Sequence, residues 1–272
     1  MAGRPPHIKW VRDTGERLAT VDRQVVELWE LRHVDDPVIL SAWAAHFRNH
    51  YCSDADLPDF VVGTGKTTAQ YLVSIKFPDA KAAPGPSVRA GDFAEILVAD
   101  FIEFILGYWC PRELRYQDRW NRNESTKGCD VIGFKFASGA AHDPNDELFI
   151  FEAKAAMTAT NKNRLQDAVD DSAKDILREA MTLNAIKQRF LGRHDRSSAL
   201  RVQRFQDMAD RPFRRINGAA AVLDDGVFDA KAVAATNAER HPNTENLKLI
   251  VITGAALMDL VHALYERAGS EA

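Results

Sequence analysis

Cysteine is scarce in this sequence. The chain has three, Cys52, Cys110 and Cys129, set far apart and without a C-x-x-C pair. No disulfide framework follows from them, and the pattern suits a reducing compartment. Long apolar runs are also missing: nothing reaches the roughly 18 residues of a membrane span. The opening residues, Met1-Ala2-Gly3-Arg4-Pro5-Pro6, lack the apolar stretch of a secretory signal, so the expectation is a cytosolic protein. An overall excess of positive charge is absent. The net charge of −4 argues against a wholly basic nucleic-acid binder but leaves room for a local basic patch. No internal repeat or low-complexity tract interrupts the chain.

What is present is ordinary for a globular protein: 272 residues, 46% hydrophobic and 27% charged. That length suits one large domain, or a core with a smaller accessory piece. The expected division is an N-terminal accessory region over 1–85 and a core with a basic helical segment over 86–272. Pro37 to Phe47 reads as a helix. Pro78 to Gly91, with Pro84-Gly85-Pro86, is breaker-rich and reads as a linker. Asp92 to Leu106 is a strongly apolar helix, with Gly107 as its stop. Two short strands follow, Asp130 to Phe136 and Leu148 to Lys154, separated by a hairpin loop over Ala137 to Glu147. A polar helix runs from about Asn163 to Leu191. Gly218 to Leu223 and Leu247 to Thr253 read as strands, and Ala255 to Arg267 as a final helix.

The residues that carry chemistry sit at the ends of the two short strands. Asp130 opens the first. Glu152 lies near the end of the second, and Lys154, two residues on, projects from the same face. Phe149-Ile150-Phe151 is core-type sequence, and burying Glu152 behind it is costly unless a cation compensates. Phosphodiester hydrolysis asks for such a set. It needs carboxylate and carbonyl oxygens around a hard divalent cation, open positions for water and phosphate, and a cationic group beside them. Asp130 and Glu152 are the candidate metal ligands, with the backbone carbonyl of Ala153 as a further one. Lys154 is the candidate for positioning water and offsetting charge. Glu95 shares a helical face with Val98, Ala99 and Ile102, which aims it inward as a third carboxylate. It can also be the N3 residue of a capping box whose N-cap is Asp92. The plainer alternatives are a turn aspartate at Asp130 and a solvated ion pair at Glu152 and Lys154. The conjunction of helix glutamate, Gly-x-Asp, hairpin-length gap and apolar strand ending in E-x-K favours a functional site.

Gly128-Cys129-Asp130 followed by Phe149-Ile150-Phe151-Glu152-Ala153-Lys154 resembles the PD-(D/E)xK nuclease superfamily. Gly91-Asp92-Phe93-Ala94-Glu95-Ile96-Leu97 resembles the Glu-bearing helix of that core. In layout and length the chain more narrowly resembles HamA, the nuclease subunit of Hachiman antiphage defence systems. No proline precedes Asp130, and Gln166 is a candidate for a helix glutamine after the lysine, with a structural helix-surface role the plainer reading. The resemblance implies an α/β fold, a small mixed central sheet flanked by helices with the site at one end. It implies Mg²⁺ or Mn²⁺ as cofactor, and DNA as substrate, cut with limited sequence preference. It also implies a HamB-like superfamily 2 helicase as partner, and restraint of the nuclease until it is needed. The alternative is a noncatalytic nuclease-fold module that binds DNA or scaffolds a helicase. Such a scaffold has no need of Lys154 beside Glu152.

Between Arg178 and Arg215, ten Lys or Arg accompany four Asp or Glu. Arg189, Arg193, Arg196, Arg201 and Arg204 are candidates for DNA phosphate contacts without sequence reading, and Arg201 and Arg204 can share a helix face. A solvated helix surface, or a dock for an acidic partner, is the plainer reading. Gly63-Thr64-Gly65-Lys66-Thr67 resembles the end of a phosphate-binding loop, but Phe60 stands where that motif needs glycine. A nucleotide-hydrolysing role would rest on that loop alone. His46 and His50, one helical turn apart with Cys52 nearby, lack a further zinc ligand at the right spacing and read as a helix surface.

Overall fold

Six strands form one mixed sheet in the computed structural model, which describes residues 3–112, 115–138 and 142–272. They are Val11–Ala19 (β1), Val25–Leu31 (β2), Val131–Lys135 (β3), Glu147–Ala156 (β4), Arg214–Asp224 (β5) and Leu247–Gly254 (β6), in the order β1-β2-β6-β5-β4-β3. The four inner strands are mutually parallel, and the edge strands β1 and β3 run antiparallel to their neighbours. Parallel strands covered on both faces need continuous apolar sequence. Ala219-Ala220-Ala221-Val222 of β5 and Leu249-Ile250-Val251-Ile252 of β6 supply it, all buried. β1 is an edge, and most of it is exposed.

Side-chain parity divides the sheet into two faces. Val131, Phe149, Phe151, Val222 and Ile252 share one apolar core with the long helices Pro37–Arg48 (α1), Gly85–Phe104 (α4) and Leu257–Ser270 (α9). On the opposite face, Ala219, Ala221 and Val251 lie under Arg164–Ser172 (α5). Ile132, Leu148 and Ile150 of that face lie under Asp175–Gly192 (α6) and Arg196–Gln203 (α7). Three short helices, Leu57–Val61 (α2), Thr68–Tyr71 (α3) and Ala230–Ala234 (α8), complete the connections. Among the described residues no helix is long and apolar enough to cross a membrane.

This is the α/β architecture expected, a mixed sheet between helical layers, but several boundaries move. α4 begins at Gly85, so Pro84-Gly85-Pro86 opens a helix instead of linking two regions. Proline is tolerated there because the first helical N–H groups have no partner to lose. Asp92 is therefore mid-helix, which removes the capping-box reading. It is buried instead against Arg119, with two contacts of 2.8 Å, and accepts from the Tyr51 hydroxyl. The polar helix expected as one piece breaks at Ala173-Lys174 into α5 and α6. Of the expected hairpin loop, residues 139–141 lie outside the described residues.

His46 and His50 are not a helix surface. His50 is buried, and His46 meets the fully buried Asp100 of α4 at 2.9 Å. His7, stacked on Trp43, takes the other Asp100 oxygen at 2.9 Å, and Arg112 also donates to Asp100. Gly63 to Thr67 forms a turn whose Thr67 caps α3, four residues long. The helix runs on as a π-helical turn over Leu72–Lys76 and stops at Phe77 before Pro78, short of the helix a phosphate-binding loop requires.

One close approach fixes the β4–β5 pairing. Gly218 stands opposite Phe151, and a Cβ on Gly218 would lie 2.0 Å from the Phe151 ring. Gly218→Ala should cost about 1–3 kcal/mol through overpacking. Urea unfolding checks this; an unchanged midpoint would contradict it.

Candidate functional site

The site forms where β3 begins and β4 runs past it. Asp130 immediately precedes β3, and its Oδ2 accepts from the Ala153 N–H of β4 at 3.1 Å. That bond ties the aspartate to the strand carrying Glu152 and Lys154. The turn before it is shaped by Gly128, at φ +102, a conformation that favours glycine. A Cβ on Gly128 would sit 2.8 Å from Thr182 Oγ1. The same hydroxyl accepts from the Cys129 N–H at 3.1 Å.

Glu152 shares the β4 face that packs under α5 and α6, whereas Glu95 comes from α4 on the other layer. The two approach because Asp130 lies beyond the end of its strand, where no sheet separates the layers. Glu95 accepts from the Tyr116 hydroxyl at 2.9 Å and from Arg115 Nε at 3.0 Å. Arg115 also donates Nη1 to the Cys129 carbonyl at 2.8 Å, and its Nη2 lies 3.5 Å from Asp130 Oδ1. Lys154 Nζ lies 2.6 Å from Glu152 Oε1 and 2.7 Å from Asp171 Oδ2 of α5. Lys174 holds the second Asp171 oxygen at 2.6 Å.

Burial and like charge govern the electrostatics. Burial, then the charges of Glu95 and Glu152, push the Asp130 carboxyl well above the usual carboxylate range, against the pull of Arg115. Burial also raises Glu152, with Lys154 opposing. For Lys154, burial works against the charge, but Glu152 and Asp171 outweigh it and hold the ammonium above the ordinary lysine range. Each carboxylate thus feels the others in a poorly solvated place.

Glu95, Asp130, Glu152, Lys154 and Asp171 line a cleft of about 1190 Å³, which Lys127 and Arg178 also border. The five arginines singled out from the basic stretch lie elsewhere. Arg189 and Arg193 line a separate cavity of about 950 Å³. Arg201 stacks on Trp109 at 3.9 Å and on Phe136 at 4.6 Å. Arg204 also stacks on Phe136, at 5.1 Å, and pairs with Asp146. Arg196 is exposed in the first turn of α7. Gln166 is taken up by Asp170 and by the Asn237 backbone, a structural role. Arg115, Tyr116 and Asp171 were not visible as site residues in the sequence. The first two lie in irregular chain between α4 and β3, and Asp171 arrives from a helix end.

The donor set suits a hard divalent cation, being all carboxylate oxygen with backbone carbonyls nearby. Glu152 Oε2 is buried without a hydrogen-bond partner. An orphaned carboxylate oxygen of this kind is costly unless something charged completes it. Among the described residues, no three His, Cys, Asp or Glu side chains stand close enough to hold a metal ion as placed. Arg115 instead donates to Glu95 Oε2 and lies near Asp130 Oδ1, and Lys154 donates to Glu152 Oε1.

Sheet, cleft and side chains define an α/β protein with a carboxylate-and-lysine site at the end of its central strands. The chain belongs to the HamA family, whose sequence model matches residues 6–268. That membership implies a component of Hachiman antiphage defence. No curated protein and no solved structure matches the chain.

Proposed function

We propose that this chain is a metal-dependent DNA nuclease, the hydrolytic effector of its defence system. The observation that carries the reading is the convergence of Glu95, Asp130, Glu152 and Lys154 on one cleft, with Asp130 pushed up by burial and by both glutamates. Buried like charges are expensive to fold and are kept where chemistry needs them. Asp130 and Glu152 would hold Mg²⁺ or Mn²⁺, with Glu95 and the Ala153 carbonyl completing the set. When bound there, such an ion polarises the scissile phosphate and acidifies a water.

The chain's own residues do the rest. Lys154, kept as an ammonium by Glu152 and Asp171, is a hydrogen-bond donor. It positions the attacking water and offsets charge growing on the phosphate. Asp171 is a positioning residue that fixes the direction of Lys154. Lys127 and Arg178 border the cleft, and Arg189, Arg193 and Arg196 would meet DNA phosphates outside it, whereas Arg201 and Arg204 are taken up by Trp109, Phe136 and Asp146. Such contacts hold a backbone without reading bases, so cutting has limited sequence preference. A superfamily 2 helicase of the HamB kind is the proposed partner, and the cytosol the proposed compartment.

The test is cleavage of DNA with Mg²⁺ by the wild type, Glu152→Ala and Lys154→Ala, each with and without the helicase. Wild-type cleavage that chelation by EDTA abolishes, and that both variants lose, is the expected outcome. Equal cleavage by all three proteins would refute the assigned site. No cleavage by any of them, even with the helicase, would favour a noncatalytic scaffold.

A further inference from the structure

The carboxylates of the site already have a cation between them. The Arg115 side chain is only 10% exposed, and its guanidinium reaches Glu95 at 3.0 Å and Asp130 at 3.5 Å. Its third contact is a donation from Nη1 to the Cys129 carbonyl at 2.8 Å. Arg115 Nη2, the nitrogen facing Asp130, is buried without a hydrogen-bond partner. The fork is therefore well seated on Glu95 and Cys129 and poorly seated on Asp130. An oxygen-ligated divalent ion needs carboxylate oxygens at about 2.0–2.6 Å. A guanidinium at hydrogen-bonding distance keeps these oxygens spread wider than that. Among the described residues no three acidic groups close on one point.

Arginine suits the role because it stays charged at any physiological pH and is weakly hydrated, so it tolerates burial that would discharge a lysine. Here burial opposes its charge, yet Glu95, Tyr116 and Asp130 hold it above the ordinary arginine range. Tyr116, the next residue, donates to the same Glu95 oxygen, so one short segment clamps the glutamate twice. That segment lies in chain without regular structure between α4 and β3. Releasing Arg115 breaks no helix or ladder, and because Tyr116 is buried in the main core and Arg119 is paired with Asp92, the movement is local to Arg115.

We infer that Arg115 is the resident counter-ion of the metal-free site, and that a divalent cation enters only by displacing it from Glu95 and Asp130. This rests on the metal-site reading above and adds its regulation. The apparent metal affinity is then lowered by the fraction of time the guanidinium is seated. An arginine seated all but about 1% of the time weakens binding about a hundredfold. Whatever draws the Arg115 segment away, a bound nucleic acid or another protein, switches the site toward metal loading.

Two measurements test this, neither of them an activity assay. Mg²⁺ alone is titrated calorimetrically into the wild type, Arg115→Met and the double variant Arg115→Met with Glu95→Gln. Arg115→Met should bind Mg²⁺ about tenfold tighter or more, and the double variant should lose that gain. Hydrogen exchange of the wild type with and without Mg²⁺ follows residues 115–121, which should exchange faster once the metal is bound. Equal or weaker binding by a folded Arg115→Met overturns the inference. If that variant fails to fold, slower or unchanged exchange of the segment in the wild type overturns it. Tighter binding without any DNA cleavage would leave the counter-ion role standing and remove the nuclease reading. Cleavage by a wild type whose segment does not respond to Mg²⁺ would do the reverse.

Discussion

Asp130→Asn is expected to abolish DNA cleavage, by about a thousandfold, while the metal-free protein melts at a higher temperature than the wild type. The two halves have one cause. Burial and the neighbouring glutamates raise the folded-state pKa of Asp130, so folding disfavours its ionised form. The charge therefore lowers stability at neutral pH, and that penalty disappears as the pH falls below the unfolded carboxylate range, where both states are protonated. Asparagine keeps the shape and can still accept from the Ala153 N–H, but it carries no charge to repel Glu95 and Glu152. Calorimetry in EDTA, beside a cleavage assay, reads both effects. A residue that served only to cap the strand would lose stability on substitution, so a lower melting temperature would count against the assignment. Stability surrendered at a working site is the general pattern.

Asp100→Ala should be the most damaging single change to the fold, at about 3–5 kcal/mol. Asp100 is wholly buried and accepts from His7, His46 and Arg112. Its removal leaves Arg112, 9% exposed, as a buried cation with Glu103 its remaining ion-pair partner among the described residues. Burial works to raise the Asp100 pKa, but His46 and Arg112 outweigh it and hold the carboxyl well below its usual range. The sign follows from that depression. The stabilisation is present above the unfolded carboxylate pKa and is lost as acid drives the pH down through the folded value. Urea melts at neutral and acid pH check it. Asp100→Ala should shift the midpoint strongly at neutral pH and less in acid, and Asp100→Asn should lose less than Asp100→Ala. A small, pH-independent shift would show that the cluster does not hold α1 to α4.

The two predictions differ in how visible their residues were. β3 and β4 were legible because apolar residues alternate to one face, and that parity put Lys154 beside Glu152. Glu95 was legible from helical spacing with Val98 and Ile102. The start of α4 was not, since Pro84-Gly85-Pro86 carries the residues of a break and becomes a first turn only when the helix is packed. The parallel pairing of β2 with β6 joins segments more than two hundred residues apart, and no local pattern encodes it. The Asp100 cluster depends on α1 crossing α4 and on the chain reaching back from His7. Asp171 and Arg115 reach the site from a helix end and from irregular chain, where periodicity carries no information. The basic stretch was legible as charge but not as direction. Several of its arginines are spent on Trp109, Phe136, Asp146 and Glu179.

A crystal structure with Mn²⁺, read by anomalous scattering, tests the carboxylate metal site directly. One strong peak is expected at about 2.0–2.6 Å from oxygens of Asp130 and Glu152, with Arg115 withdrawn from Glu95. A cleft without a peak at saturating Mn²⁺, its carboxylates still held by Arg115 and Lys154, would contradict it.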